Sequence, residues 1–388
     1  MIREILTSAI LATLPFGMQA AKSVKVTLDR PADGETVEIP VSQLSQRLKG
    51  TNYYVTDDTG HEIPSQLTYD SLLVFTAGNT LNYEVKTDRK PHTYPTVCTG
   101  RIYPNRADDV AWENNVTGYR VYGPATQRRG ERAFGYDIFL KHPTYEPIVE
   151  SLYDAQCSGQ NWRKVDSLKK IDPKLAKEFE NSFTYHLDHG KGMDCYAVGP
   201  TCGDGMATLV RGDSLCFAWC YDKAEVLENG PVRFTVRLRF APRKVEGLGD
   251  AITETRVISL DRESHLNRCT VNYDGLEGPT RLASGIPLRD QSPAFVSENT
   301  GIIAYCDPTQ GPDNGKAMLG VIFPQGFEKT LAGSGHVLGY TTVEPGKPLT
   351  YWWGFAWDRA DIPTYEGWQQ YLEDYRKALI NPAKVTLK

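Results

Sequence analysis

The 388-residue chain has no dense run of lysine and arginine, no internal repeat and no low-complexity segment. Outside residues 1–21, no stretch approaches the ~18 apolar residues that a membrane helix requires. A net charge of −5 without a basic footprint excludes nucleic acid as a partner, because binding it requires neutralising phosphates. The cysteines do not follow a zinc spacing, and none precedes Cys98, so neither a zinc module nor a lipid-anchored mature N-terminus is indicated. Helical periodicity is sparse. What is present is a globular composition, 40% hydrophobic and 23% charged, in which tyrosine (21) leads the aromatics and brings both a stacking face and a hydroxyl.

Residues 1–21 combine Arg3, the apolar Ile10–Phe16 and the small Ala20 and Ala21, the pattern of a secretory signal peptide. An N-terminal helix accommodates Pro15 and Gly17 poorly. The expected location is the periplasm or the medium. Eight cysteines in an exported chain permit disulfides, yet Cys216 and Cys220 sit in an apolar stretch that suits buried thiols, and the sequence leaves both open.

Residues 22–95 read as a small β-sandwich-like unit of short alternating runs and turns, bounded by the proline-restricted Lys90–Pro95. Residues 96–388 carry many more strands. The clearest is Val232–Phe240, whose even positions are apolar and whose odd ones include Arg233, Arg237 and Arg239, so the guanidinium groups share the face opposite a core. Thr253–Leu260 is expected to pair with it, with Glu254 neutralising an arginine. A helix is expected after the Asp172-Pro173 start signal, and another near the end, where Trp368, Tyr371, Leu372 and Tyr375 form an aromatic stripe.

Two polar segments point to function. Asp108–Pro124 supplies Trp112, Glu113, Asn114, Arg120 and Tyr122, with Arg128 and Arg129 following; aromatic rings stack on pyranose faces and arginine grips a carboxylate. Tyr185–Tyr196 gathers His186, Asp188, His189 and Asp194 around glycines, and a histidine oriented by a carboxylate is a general acid/base. The bland reading makes Trp112 core, Arg120 an ion partner and the histidines part of a hydrogen-bonded turn. A divalent metal on the second segment is a further alternative, although no partner histidine motif appears elsewhere; no other cofactor is expected. Tyr351–Arg359 is a third, aromatic strand whose end, Asp358 or Arg359, can reach the same cleft.

Taken in order, Asp-Asp-x-Ala-Trp-Glu-Asn (108–114), Arg-x-Tyr-Gly-Pro (120–124), the Tyr185–Gly199 pattern, Asn229-Gly230-Pro231 with Arg233, and Trp353-Gly354 with Trp368 resemble the family catalogued as domain of unknown function 4861. His189 departs from the pattern. The resemblance implies a mainly β, galactose-mutarotase-like β-supersandwich and a setting among secreted proteins of polysaccharide-degrading bacteria, without a catalytic role for any residue.

The expectation is an exported enzyme cleaving a uronic-acid-containing oligosaccharide. In β-elimination, Arg120 with Arg233 or Arg237 would neutralise the uronate, and His186 or Tyr196 would remove the adjacent proton. In hydrolysis, Glu113 with Asp188 or Asp194 would form the carboxylate pair. A non-catalytic glycan-binding protein, with Trp112, Asn114, Tyr122 and His189 among its contacts, is the rival from another class. Oligomeric state is not legible.

Overall fold

The computed structural model describes residues 23–333 and 335–388; the expected signal peptide lies outside them. Among the described residues the architecture is mainly β, built from antiparallel sheets with six α-helices. The N-terminal unit packs a five-stranded sheet on a three-stranded one around Val24, Val26, Val55, Phe75 and Val85. One strand of the larger sheet comes from the far end of the chain. Val385–Leu387 pairs antiparallel with Ser23–Leu28, so this unit is made from both termini, and the division at residue 95 does not hold for the last residues. Three residues, Val-Thr-Leu, are too short a run to announce a strand in the sequence.

The larger part stacks an eight-stranded sheet against two five-stranded ones, with one continuous apolar core. Its longest hairpin, Arg233–Val245 with Gly249–Asp261, is the pair expected from alternation, and Phe234, Val236 and Leu238 enter the core as the period of two requires. Glu254 does not face the arginines. The same register turns it inward with Arg256, where Arg256 also donates to the Tyr136 hydroxyl at 3.1 Å, while Arg233 pairs with Asp261 and Arg237 with Glu225.

The helix Pro173–Asn181 starts at Asp172, whose carboxylate accepts from the N–H groups of Lys174 and Leu175. Tyr365–Ile380 lays Trp368 and Leu372 on the large sheet. All eight cysteines are free thiols.

Candidate functional site

One five-stranded sheet carries both polar segments: Thr99–Tyr103, Asp109–Glu113, Gly118–Val121, Asp137–Lys141 and Gly192–Met193. Alternation gives it two faces. Val110, Trp112, Tyr119, Val121, Ile138, Leu140 and Met193 face the main core. Asp109, Glu113, Arg120, Asp137 and Lys141 take the other face, with Phe139, against the helix Val149–Gln156.

Trp112 is fully buried, lies 5.9 Å from Phe234 and donates its indole N–H to Asn267 Oδ1 at 2.8 Å. It is core and offers no platform to a ligand. Asn114 closes a turn: its amide donates to the carbonyls of Asp261 and Ser264, and its Oδ1 accepts from the N–H groups of Val116 and Thr117. Glu113 binds Lys141 Nζ at 2.6 Å and accepts the N–H groups of Ile148 and Val149, so it holds the start of the covering helix. A carboxylate with every oxygen engaged in this way cannot serve as the acid of a glycosidase pair.

Arg120 is the centre of a buried ion cluster. Its Nε donates to Asp137 Oδ2 at 2.9 Å, and its Nη2 reaches Asp137, Asp194 (2.9 Å) and the Tyr122 hydroxyl (3.1 Å). Tyr122 in turn donates to Asp137 at 2.6 Å. Asp109 lies 4.0 Å from Arg120 and 3.7 Å from Arg106. Burial raises the Asp109 carboxyl to about 6 against the pull of Arg120 and Arg106, and burial likewise raises Asp194 against Arg120. Three carboxylates face two guanidinium groups, and although Arg120 Nη1 and Asp109 Oδ2 have no hydrogen-bond partner, Arg120 is only 2% exposed, so burial closes its guanidinium to a uronate.

Arg233 is similarly consumed, by Asp261 at 2.5 Å and by Glu38 of the N-terminal unit at 2.7 Å. Arg237 is half-buried, bound to Glu225 at 2.9 Å, and lines a separate groove.

In the second segment the expected His186–Asp188 pairing does not form. His186 is exposed, and its Nδ1 lies 2.8 Å from the Asp194 carbonyl oxygen. His189 Nε2 contacts the Thr184 carbonyl at 3.0 Å, a turn contact. The Tyr196 side chain is buried, and burial lifts its hydroxyl well above the ordinary tyrosine range, which removes it as a base.

Asp188 instead binds His142 Nε2, at 2.9 Å. Its other oxygen accepts the N–H groups of Gly190 (2.8 Å) and Gly192 (3.0 Å). Burial would raise the Asp188 carboxyl, but His142 and these two N–H groups outweigh it and hold the group below the usual carboxylate range. The side chains are 36% and 25% exposed, so the dyad is reachable from solvent.

His142 continues the row of Ile138 and Leu140 beyond the strand end, and its ring lies 4.7 Å from Trp357. Its N–H donates to the Lys191 carbonyl at 3.1 Å, one rung past the Lys141–Gly192 pair, which puts Lys191 directly opposite it. Arg359 and Asp358 lie near the indole N–H of Trp357: a Cβ on Gly315 would meet Asp358 Oδ1 first and fall 2.9 Å from both Trp357 Nε1 and Arg359 Nε, and this glycine's φ of +75° suits the residue that is there. Lys191, Lys316 and Arg359 are exposed and form no ion pair among the described residues.

His142 escaped the sequence reading because nothing in Lys141-His142-Pro143 signals a partner 46 residues away; the one available signal was its place at the end of an alternating strand. Asp358 and Arg359, which the sequence placed at a strand end near the cleft, both lie near Trp357, whose ring His142 contacts. Among the described residues, no three His, Cys, Asp or Glu side chains assemble as a metal-binding group.

A family model described as Domain of unknown function (DUF4861) matches residues 24–385. A curated relative, "Uncharacterized protein P7" of Formosa agariphila, is 25% identical over 94% of this chain and 93% of its own length. Among solved structures, a protein in glycosyl hydrolase family 38 from Enterococcus faecalis aligns at 11% identity with a TM-score of 0.47, and an α-mannosidase from the same organism at 8% and 0.41. The chain is covered to 96% and 95% in these alignments but spans about half the length of either solved chain, 48% and 46%.

Proposed function

The chain belongs to the DUF4861 family, and from that premise we propose that it is an exported carbohydrate-active enzyme that cleaves a uronic-acid-containing oligosaccharide by β-elimination at the His142–Asp188 dyad. The observation that carries this reading is the 2.9 Å contact between His142 Nε2 and an Asp188 carboxylate fixed by two backbone N–H groups. An anionic acceptor at Nε2 requires the proton there, which leaves the Nδ1 lone pair as the base. Lys191 opposite the imidazole, with Arg359 and Lys316 beyond Trp357, supplies unpaired cations for the uronate carboxylate, which acidifies the neighbouring C–H. His142 takes that proton, the electron pair forms the carbon–carbon double bond, and the glycosidic C–O bond breaks with its oxygen taking up a proton from the solvent that reaches the dyad. Hydrolysis is less well supported, because Glu113 and Asp194 are both locked in buried ion pairs.

The test is incubation with a panel of uronic-acid oligosaccharides, read by ultraviolet absorbance and product mass. Unsaturated products are expected, and His142→Gln should lower the rate by ~10²-fold or more at an unchanged melting temperature. Products heavier by one water would replace elimination with hydrolysis, and an absence of product with retained binding would make the protein a glycan-binding one.

A further inference from the structure

A surface groove of about 500 Å³ lies between the edge strand Lys223–Glu228, its neighbour Arg233–Val245 and a wall containing Asp108 and Pro124. It shares no residue with the His142–Asp188 dyad, and its volume is in the range of small-ligand sites, ~300–1,000 Å³. Six charged side chains line it. Three are paired, Arg237 with Glu225 at 2.9 Å and Asp108 with Arg128 at 3.0 Å; the third carboxylate, Asp222, has no ion pair among the described residues and is placed by its backbone N–H, which donates to the Arg239 carbonyl at 2.8 Å.

Lys223 and Arg239 are left. They stand directly opposite each other across the ladder, both exposed, and neither has an ion-pair partner among the described residues. Like charges facing each other across two strands destabilise the pair, so the sheet holds them together at a cost that an anion between them would remove. The wall next to them is apolar, formed by Ile102, Ala224 and Pro124, and the Tyr221 hydroxyl donates to the Asp108 carbonyl and so fixes the rim.

We infer that this groove binds a sugar acid. Lys223 and Arg239 hold its oxyanion, the ring lies against Ile102 and Pro124, and the Asp222 carboxylate accepts from ring hydroxyls. The anion follows from the unpaired cations alone; the sugar ring rests on the carbohydrate reading above.

Calorimetric titration of the protein at low salt with glucuronate, glucose 6-phosphate, glucose and inorganic phosphate tests it. None of these contains a linkage between sugars, so the readout is independent of cleavage. At least one sugar acid is expected to bind ~10-fold or more tightly than glucose, with the attraction weakened by salt. Preference for glucuronate assigns a carboxylate, and preference for glucose 6-phosphate a phosphate ester. The double variant Lys223→Gln/Arg239→Gln, at an unchanged melting temperature, should lose ~10-fold or more of that affinity, while His142→Gln keeps it. Failure of both sugar acids to bind, equal affinity for inorganic phosphate, or binding untouched by the double variant would overturn the inference. If His142→Gln alone removes binding, the anion sits at the dyad, which overturns the groove and leaves the elimination reading standing.

Discussion

The two faces of the sheet built on Asp109–Glu113 are equally buried and chemically opposite. One carries Val110, Trp112, Tyr119, Ile138 and Leu140 into the main core. The other carries Asp109, Glu113, Arg120, Asp137 and Lys141 beneath the helix Val149–Gln156. On the apolar face each side chain is stabilised by area removed from water, which needs no particular partner. Each charge on the other face requires a specific counter-ion at hydrogen-bond distance, because ions left unpaired in the interior cost several kcal/mol. The charged face is therefore the more brittle one, and polar residues in a short stretch of sequence are a weak guide to a ligand site when a helix can cover them.

The largest effect is expected from Arg120→Met. Removing the cation leaves Asp137 and Asp194 buried together without compensation, so a loss of about 3–5 kcal/mol is expected in urea unfolding. A loss under 1 kcal/mol would show that the cluster is hydrated and accessible. Asp109 offers a pH-resolved version. Its carboxyl is raised to about 6 in the folded protein, against roughly 3.9 when unfolded. Between these values the folded state holds more proton than the unfolded one, so stability from this group is full below about 4 and falls, by up to ~3 kcal/mol, as pH rises to about 6. Asp109→Asn cannot titrate, and its stability relative to the parent should rise across that window. Parallel urea midpoints at pH 4 and pH 7 would contradict this.

On the apolar face, Trp112→Phe removes the 2.8 Å bond to Asn267 and leaves a modest void, at a cost of roughly 2 kcal/mol. A larger effect than that of Arg120→Met would reverse the ranking of the faces. Smallest is His186→Ala, an exposed ring with one hydrogen-bond contact, to a backbone carbonyl, and an edge contact with Tyr185 at 4.6 Å; it should cost ~1 kcal/mol or less in thermal melts. If it also abolishes turnover while His142→Gln does not, the proton-moving residue is His186 and the dyad is scaffold.

Local pattern determined much of this molecule. The period of two in Val232–Phe240 dictates which side chains enter the core, and the hairpin partner follows from proximity along the chain. Asp172 before Pro173 sets a helix start through bonds that span three residues, and the stripe at Trp368 and Leu372 sets the buried face of the last helix. The resemblance carried by the two polar segments together with Asn229-Gly230-Pro231, Arg233, Trp353-Gly354 and Trp368 identified the family over nearly the whole described chain. All of these depend on neighbours a few residues apart.

Which charges meet was set by packing between elements distant in the chain. Alternation put Glu254 on a face but could not say that this face lies inside the sandwich with Arg256. Arg120 and Asp194 are 74 residues apart, and His142 and Asp188 are 46 apart. The helix Val149–Gln156 buried the first pair, while the strand edge at Gly192–Met193 left the second in solvent. An ion pair's partner and its exposure are set by what packs across the sheet face, a non-local quantity, whereas periodicity records only the direction in which each side chain leaves its own strand.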